Sequence, residues 1–136
     1  MASALSLAML LPILTASVAS ASNCTCNLMQ CTCTCDPVSV RCYAKDLAAL
    51  RALHSAANVR RWSDVIANDN CCSWGGVCCT SSGRVSTIQL SGNKLNGSIP
   101  SELGSLSELT VLELTLNSLE GSLPSELGNL TKLQHM

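Results

Sequence analysis

The sequence predicts an α/β solenoid: a right-handed coil whose turns lay short parallel strands side by side, closed by a helical, cysteine-rich N-terminal cap. Three observations predict it. Two segments, VSTIQLSGNKLNGSIPSELGSLSE from Val85 and LTVLELTLNSLEGSLPSELGNLTK from Leu109, match position by position at an offset of 24 residues, and a fixed period of this size is the mark of stacked repeats. The chain is 47% hydrophobic but only 2% aromatic, with no Phe, so its core is a thin aliphatic layer and not a bulky globular centre. Ten cysteines stand upstream of the repeats.

Within the repeats each matched position has a physical task. Ile88 and Leu90, then Leu112 and Leu114, alternate as a short strand with one buried face requires. A third copy starts at Leu133, with Met136 at the position of Ile88 and Leu112. Asn93 and Asn117 fall where the chain leaves the strand, and an inward amide there can bond backbone groups that the bend leaves unpaired. Gly97 and Gly121 allow a bend without a Cβ clash. Pro100 and Pro124 fix φ and open a short helical turn through Ser-Glu-Leu. Leu103 with Leu127 and Gly104 with Gly128 complete the match. A single unit cannot bury its own apolar edge, whereas stacked units form a continuous ladder.

Upstream, residues 1–21 read as a signal peptide. They carry no charged side chain, are mostly apolar from Leu5 to Val18, and end Ala-Ser-Ala. Cleavage is expected after Ala21, with Ala19 the second position, and the apolar run is short for a bilayer span of ~20 residues. Residues 22–41 are rich in Cys and Thr and show no period. Residues 42–84 form the cap region: Tyr43 to about Asn70 reads as helical, with Leu47, Leu50, Leu53 and Ala57 on one stripe. Asp46 stands where it can accept from the free amides of the first turn. Cys71 to Gly83 is a compact turn region, and residues 85–136 are the repeats, two complete and a third cut short.

Composition excludes several activities. The net charge is −1 with both signs scattered, so nothing draws the chain to nucleic acid. His54 and His135 are the only histidines, and no zinc spacing or hydrolase elbow accompanies them. Glu102 and Glu126 share a repeat position and stack on one convex edge, unlike a glycosidase pair facing each other across a cleft. No catalytic residue and no cofactor is expected. Cys24, Cys26, Cys31, Cys33, Cys35, Cys42, Cys71, Cys72, Cys78 and Cys79 behind a signal peptide indicate disulfides before metal. Sequons at Asn23, Asn96 and Asn129 agree with a secreted glycoprotein.

The spacing L-x-x-L-x-L-x-x-N-x-L-x-G-x-I/L-P-x-x-L-G-x-L resembles the plant-specific class of leucine-rich repeats. The upstream part is similar to the N-terminal cap of the same proteins. Asp46 to Leu50 matches its helix motif and Trp62 its tryptophan; Cys71, Cys72, Trp74, Gly76, Val77 and Cys79 match a Cys-Cys-x-Trp-x-Gly-Val-x-Cys segment that leads into Gly83–Val85. Such proteins include receptor-like kinase ectodomains, receptor-like proteins and polygalacturonase-inhibitor-like proteins. The resemblance implies disulfides Cys42–Cys71 and Cys72–Cys79, each stabilising by ~2–4 kcal/mol. Cys78 and the five cysteines of the segment 24–35 have no counterpart in that cap, and their pairing stays open.

The resemblance also implies a concave binding face on the outward strand positions: Thr87, Gln89, Ser91 and Gly92, then Val111, Glu113, Thr115 and Leu116, then His135. It implies a non-catalytic extracellular scaffold that recognises a protein, peptide or cell-wall-type ligand, as the outer part of a receptor-like protein or receptor kinase. The chain then reads as a fragment, a truncated gene model or a natural short form holding the first repeats, and it carries no kinase motif and no later membrane span. Two alternatives are a secreted inhibitor of a polysaccharide-degrading enzyme, whose partner is a hydrolase or polysaccharide, and a small cysteine-rich metal-binding or structural secreted protein. N-terminal sequencing of the chain recovered from the culture medium of expressing plant cells is expected to begin at Ser22; a chain retaining Met1 overturns the signal-peptide reading.

Overall fold

The computed structural model describes residues 24–27, 32–35, 41–63 and 66–136, the first two as backbone. The expected signal segment, the sequon at Asn23 and Cys31 lie outside the described residues. Strands β1 (Cys24–Asn27) and β2 (Thr32–Cys35) pair antiparallel. Residues without visible period thus form a hairpin, because Cys-x-Cys and Thr-x-Thr alternate with the period of a strand.

Helix α1 spans Ala44–Ala57. Its stripe of Leu47, Leu50, Leu53 and Ala57 is buried, which is why these residues hold a helix. The helix is shorter than the sequence suggests. Asn58 takes the left-handed conformation (φ 52, ψ 55) and closes it, after which Val59 and Trp62 turn into the core. Trp62 donates its indole N–H to the Gly75 carbonyl at 2.9 Å and packs on Trp74 with ring centroids 5.2 Å apart. Disulfides join Cys42 to Cys71 and Cys72 to Cys79.

Asp46 does not cap the helix as expected. Its carboxylate, fully buried, reaches the repeats, where one oxygen accepts from the Val85 amide at 2.8 Å and from Arg84 Nε at 3.0 Å. The helix start is extended at Tyr43 with no side-chain cap bond. The competing partner wins because the Val85 amide is buried at the opening of a strand and has to be satisfied there. The same Arg84 guanidinium lies 4.4 Å from the Tyr43 ring centroid and donates to Ser107 Oγ at 3.0 Å. The hydrogen bond to Asp46 holds the Arg84 guanidinium above its ordinary pKa.

Strand β3 (Val77–Cys79), inside the region read as a turn, runs antiparallel to β4 (Val85–Gln89). Two-residue β5 (Asn96–Gly97) follows, then β6 (Val111–Glu113) and β7 (Ser118–Leu119). β6 lies parallel to β4, and β7 parallel to β5, so each coil contributes to two ladders. Ile88 sits opposite Leu112, and both are fully buried with Leu90, Leu95, Leu103, Leu106 and Leu109. Short 3-10 turns at Ser101–Ser105 and Ser125–Asn129 follow Pro100 and Pro124 and pack on each other on the far side. Gly104 is required there, because a Cβ would collide with the Glu126 carbonyl oxygen. At Gly97 (φ +99) a Cβ would strike the Ala56 carbonyl oxygen, which accepts from the Ser98 amide at 3.2 Å and ties the first coil to the end of α1.

A third repeat cut short is expected to leave Leu112, Leu114 and Leu133 at an uncovered edge. Leu112 is instead fully buried because the chain returns beside it, where the His135 carbonyl accepts from the Leu112 amide at 2.9 Å. Leu114 and Leu133 are half-buried. Among the described residues no helix is long and apolar enough to cross a membrane. Replacing Asp46 by Ala strips the Val85 amide and Arg84 of their shared acceptor and is expected to destabilise the fold by about 3 kcal/mol in urea denaturation. Asp46→Asn keeps one acceptor oxygen and loses less.

Candidate functional site

The parallel pairing of β4 with β6 fixes two faces. Its inner side chains, Ile88 and Leu112, belong to the core, so alternation sends Thr87, Gln89, Val111 and Glu113 outward. Gln89 stands opposite Glu113, and Val111 makes a further parallel bridge to His135. Beyond the strand ends the Ser91 and Thr115 hydroxyls hydrogen-bond at 2.9 Å, one coil apart. Backbone bonds from Leu90 N to Glu113 O and from Gly92 N to Thr115 O hold these coils in step.

The structure brings Gln89, Ser91, Val111, Glu113, Thr115 and His135 onto one surface; Ser91, Thr115 and His135 are exposed and the others partly so. Thr87 is the exception and is withdrawn from the candidate face: only 2% of it is exposed. It sits in the central strand between Cys78 of β3 and Val111 of β6, so an outward register position there does not amount to accessibility. Asn96 and Asn129, both exposed, lie in β5 and at the end of a 3-10 turn, away from this sheet. His54 is half-buried on α1.

Position 116, one of the outward positions, breaks the repeat with a leucine where the coil before has a glycine. Leu116 takes a left-handed φ of 55 and is 88% exposed. The matching residue one coil earlier is Gly92, with φ +66. A leucine in that conformation costs of order 1 kcal/mol. An apolar side chain is therefore held in strain at the rim of the polar face, beside Thr115.

Asn117 supplies the internal support. Its amide nitrogen donates to the carbonyls of Leu90 and Leu114 at 2.8 Å and Thr115 at 3.2 Å, while its oxygen accepts from Leu95 N at 3.0 Å. Asn93 reaches only the Ser91 carbonyl at 2.9 Å, because the Leu90 and Leu95 partners of Asn117 come from the preceding coil and Asn93 has no such coil before it. On the flank, Arg84, Glu108 and Lys132 recur at one repeat position and alternate in sign. Lys132 Nζ meets the Glu108 carboxylate at 2.7 Å. The Lys132 hydrogen bond, aided by the charges of Lys132 and Arg84, holds the Glu108 carboxyl below its ordinary pKa against a smaller opposing desolvation.

The sulfurs of Cys42, Cys71 and Cys72 lie within 4.8 Å of one another. All three are spent in disulfides and offer no thiolate for a metal.

Comparison with known proteins places this geometry. The Leucine Rich Repeat family model matches residues 84–106 and 108–130. Phytosulfokine receptor 1 of Arabidopsis thaliana is 37% identical over 75 residues, which is 52% of this chain and 7% of the receptor. The chain therefore spans a small part of that relative's length. The crystal structure of a plant ice-binding protein superposes with a TM-score of 0.62 at 30% identity, covering 70% of this chain and 32% of that one. The leucine-rich-repeat ectodomain of the plant receptor kinase GASSHO1/SCHENGEN3 from Arabidopsis thaliana, solved with CASPARIAN STRIP INTEGRITY FACTOR 2, gives 0.54 at 30% identity over 69% of this chain and 12% of that one.

The lowered Glu108 carboxyl gives a signed prediction. A depressed folded-state pKa contributes stability above the unfolded value and loses it as pH falls through the folded value. At low ionic strength the thermal midpoint of the parent is therefore expected to exceed that of Glu108→Gln at neutral pH. The two midpoints are expected to converge on acidification through and below the ordinary carboxylate range, and a gap unchanged at low pH contradicts the assignment.

Proposed function

Taking the chain as a plant-type leucine-rich-repeat protein, we propose that it is a non-catalytic recognition scaffold on the outer side of the plasma membrane. Its ligand is a peptide or an extended protein segment laid across the sheet. The supporting observation is the division of labour in β4 and β6. The inner face is consumed by the core, while the outer face presents Gln89, Glu113, the Ser91–Thr115 hydroxyl pair and the strained Leu116 side by side. Polar groups at fixed intervals match the hydrogen-bonding groups of an extended backbone, and a single exposed apolar side chain at the rim supplies an anchor.

The two disulfides and the exposed sequons at Asn96 and Asn129 support an extracellular setting, with glycans attached away from the proposed face. The matched relative is a receptor by name, and the part of it that this chain resembles lies in its repeats. That supports a place in a receptor-like protein.

A phage-displayed peptide library selected on the secreted chain tests the reading. Selected peptides are expected to bind Leu116→Gly and Thr115→Trp at least ~10-fold more weakly, about 1.4 kcal/mol. The first variant should be as stable as the parent or up to ~1 kcal/mol more stable, since it relieves the left-handed leucine. Peptides that bind both variants as well as the parent would remove the proposed face. Loss of endo-polygalacturonase activity on mixing, without peptide selection, would favour the inhibitor alternative.

A further inference from the structure

The hairpin β1–β2 is absorbed neither by the repeats nor by the cap that the resemblance describes, yet its register is specific. Cys24 pairs with Cys35, Thr25 with Thr34, Cys26 with Cys33 and Asn27 with Thr32. Strand alternation therefore places all four cysteines on one face of the hairpin and Thr25, Asn27, Thr32 and Thr34 on the other. We propose that the facing cysteines are joined as two stacked cross-strand disulfides, Cys24–Cys35 and Cys26–Cys33.

Directly opposed residues of an antiparallel pair have Cα atoms about 4.5–5.5 Å apart, inside the roughly 4.4–6.8 Å that a disulfide spans. The cap disulfides have Cα separations of 5.2 and 5.5 Å. The diagonal pairings, Cys24–Cys33 and Cys26–Cys35, would bridge about 7–8 Å in the same register. Neighbours on one strand, Cys24 with Cys26 or Cys33 with Cys35, are about 6.6–6.8 Å apart and their extended backbone would have to collapse to join.

The need for a staple is also physical. A two-stranded hairpin is marginal in water, and this one is built from Cys, Thr and Asn with no aliphatic face. β2 lies against β3, the outer strand of the three-stranded sheet. A cross-linked hairpin in that place guards the strand edge against pairing with another chain. Each bond forms by thiol–disulfide exchange. Two cysteine thiols give up two protons and two electrons to an exchange disulfide such as oxidised glutathione, which leaves as two thiols. The rival is a four-thiolate metal site. It requires reduced sulfur in a chain whose cap cysteines are oxidised, and so is disfavoured.

Met29 makes the test direct, because it lies between the strands and is the only methionine between Met9 and Met136. The secreted full-length chain is treated with N-ethylmaleimide without reductant, then cleaved with cyanogen bromide and trypsin. The fragment holding Cys24 and Cys26 is expected to stay attached to the fragment holding Cys33 and Cys35 and to separate only on reduction. Electron-transfer fragmentation of the joined species should return links 24–35 and 26–33. Fragments that separate without reductant, diagonal links, or four maleimide-labelled cysteines with stoichiometric zinc by elemental analysis would each overturn the proposal.

Discussion

Leu112 is buried between Ile88 on the coil before and the returning chain at His135, and almost everything else in the molecule follows from that stacking. A coil of this length has too little interior to shield its own leucines, so its stability comes from contact with a neighbour of identical length. Equal length keeps the strands in register, with Leu90 N bonding Glu113 O and Gly92 N bonding Thr115 O, and it brings the two 3-10 turns together on the far side. An insertion inside a coil would displace both ladders at once. The strictness of the repeat is thus a packing requirement before it is a functional one.

The cap obeys the same constraint with different parts. It covers the apolar end of the first coil with a helix stripe, a tryptophan pair and β3, an antiparallel strand where the repeats use parallel ones. Asp46 and Arg84 join the two halves electrostatically, and Gly97 allows the first coil to approach the end of α1 closely enough for a backbone hydrogen bond. Cap and repeats share one core and have to be understood as one folding unit.

How far this was legible depended on whether the determining contacts were periodic. Ile88, Leu112, Gly97 and Pro100 were readable because each recurs at a fixed offset with a local task. Asp46 was misread because its partner, the Val85 amide, is remote in sequence, and a helix-start carboxylate has a plausible local role that the fold does not use. The helix end at Asn58 and the strand β3 rest on one left-handed residue and one tertiary pairing, neither of which leaves a pattern. Thr87 shows the limit for the candidate site: alternation gives the direction of a side chain, while its accessibility depends on the strands on either side. Leu116 is legible as an outward position, and the repeats set side by side show a leucine where the coil before has Gly92; its left-handed backbone leaves no pattern and comes from the structure alone.

The column formed by Arg84, Glu108 and Lys132 has an evolutionary corollary. Because each of these charges is flanked by its opposite one coil away, the fitness of a residue at any level depends on the identities above and below it. Inverting Glu108 alone would set three cations in a row, whereas exchanging signs on adjacent levels together would preserve the attraction. Divergence along this flank is therefore epistatic, and drift there should proceed by coupled reversals instead of independent steps.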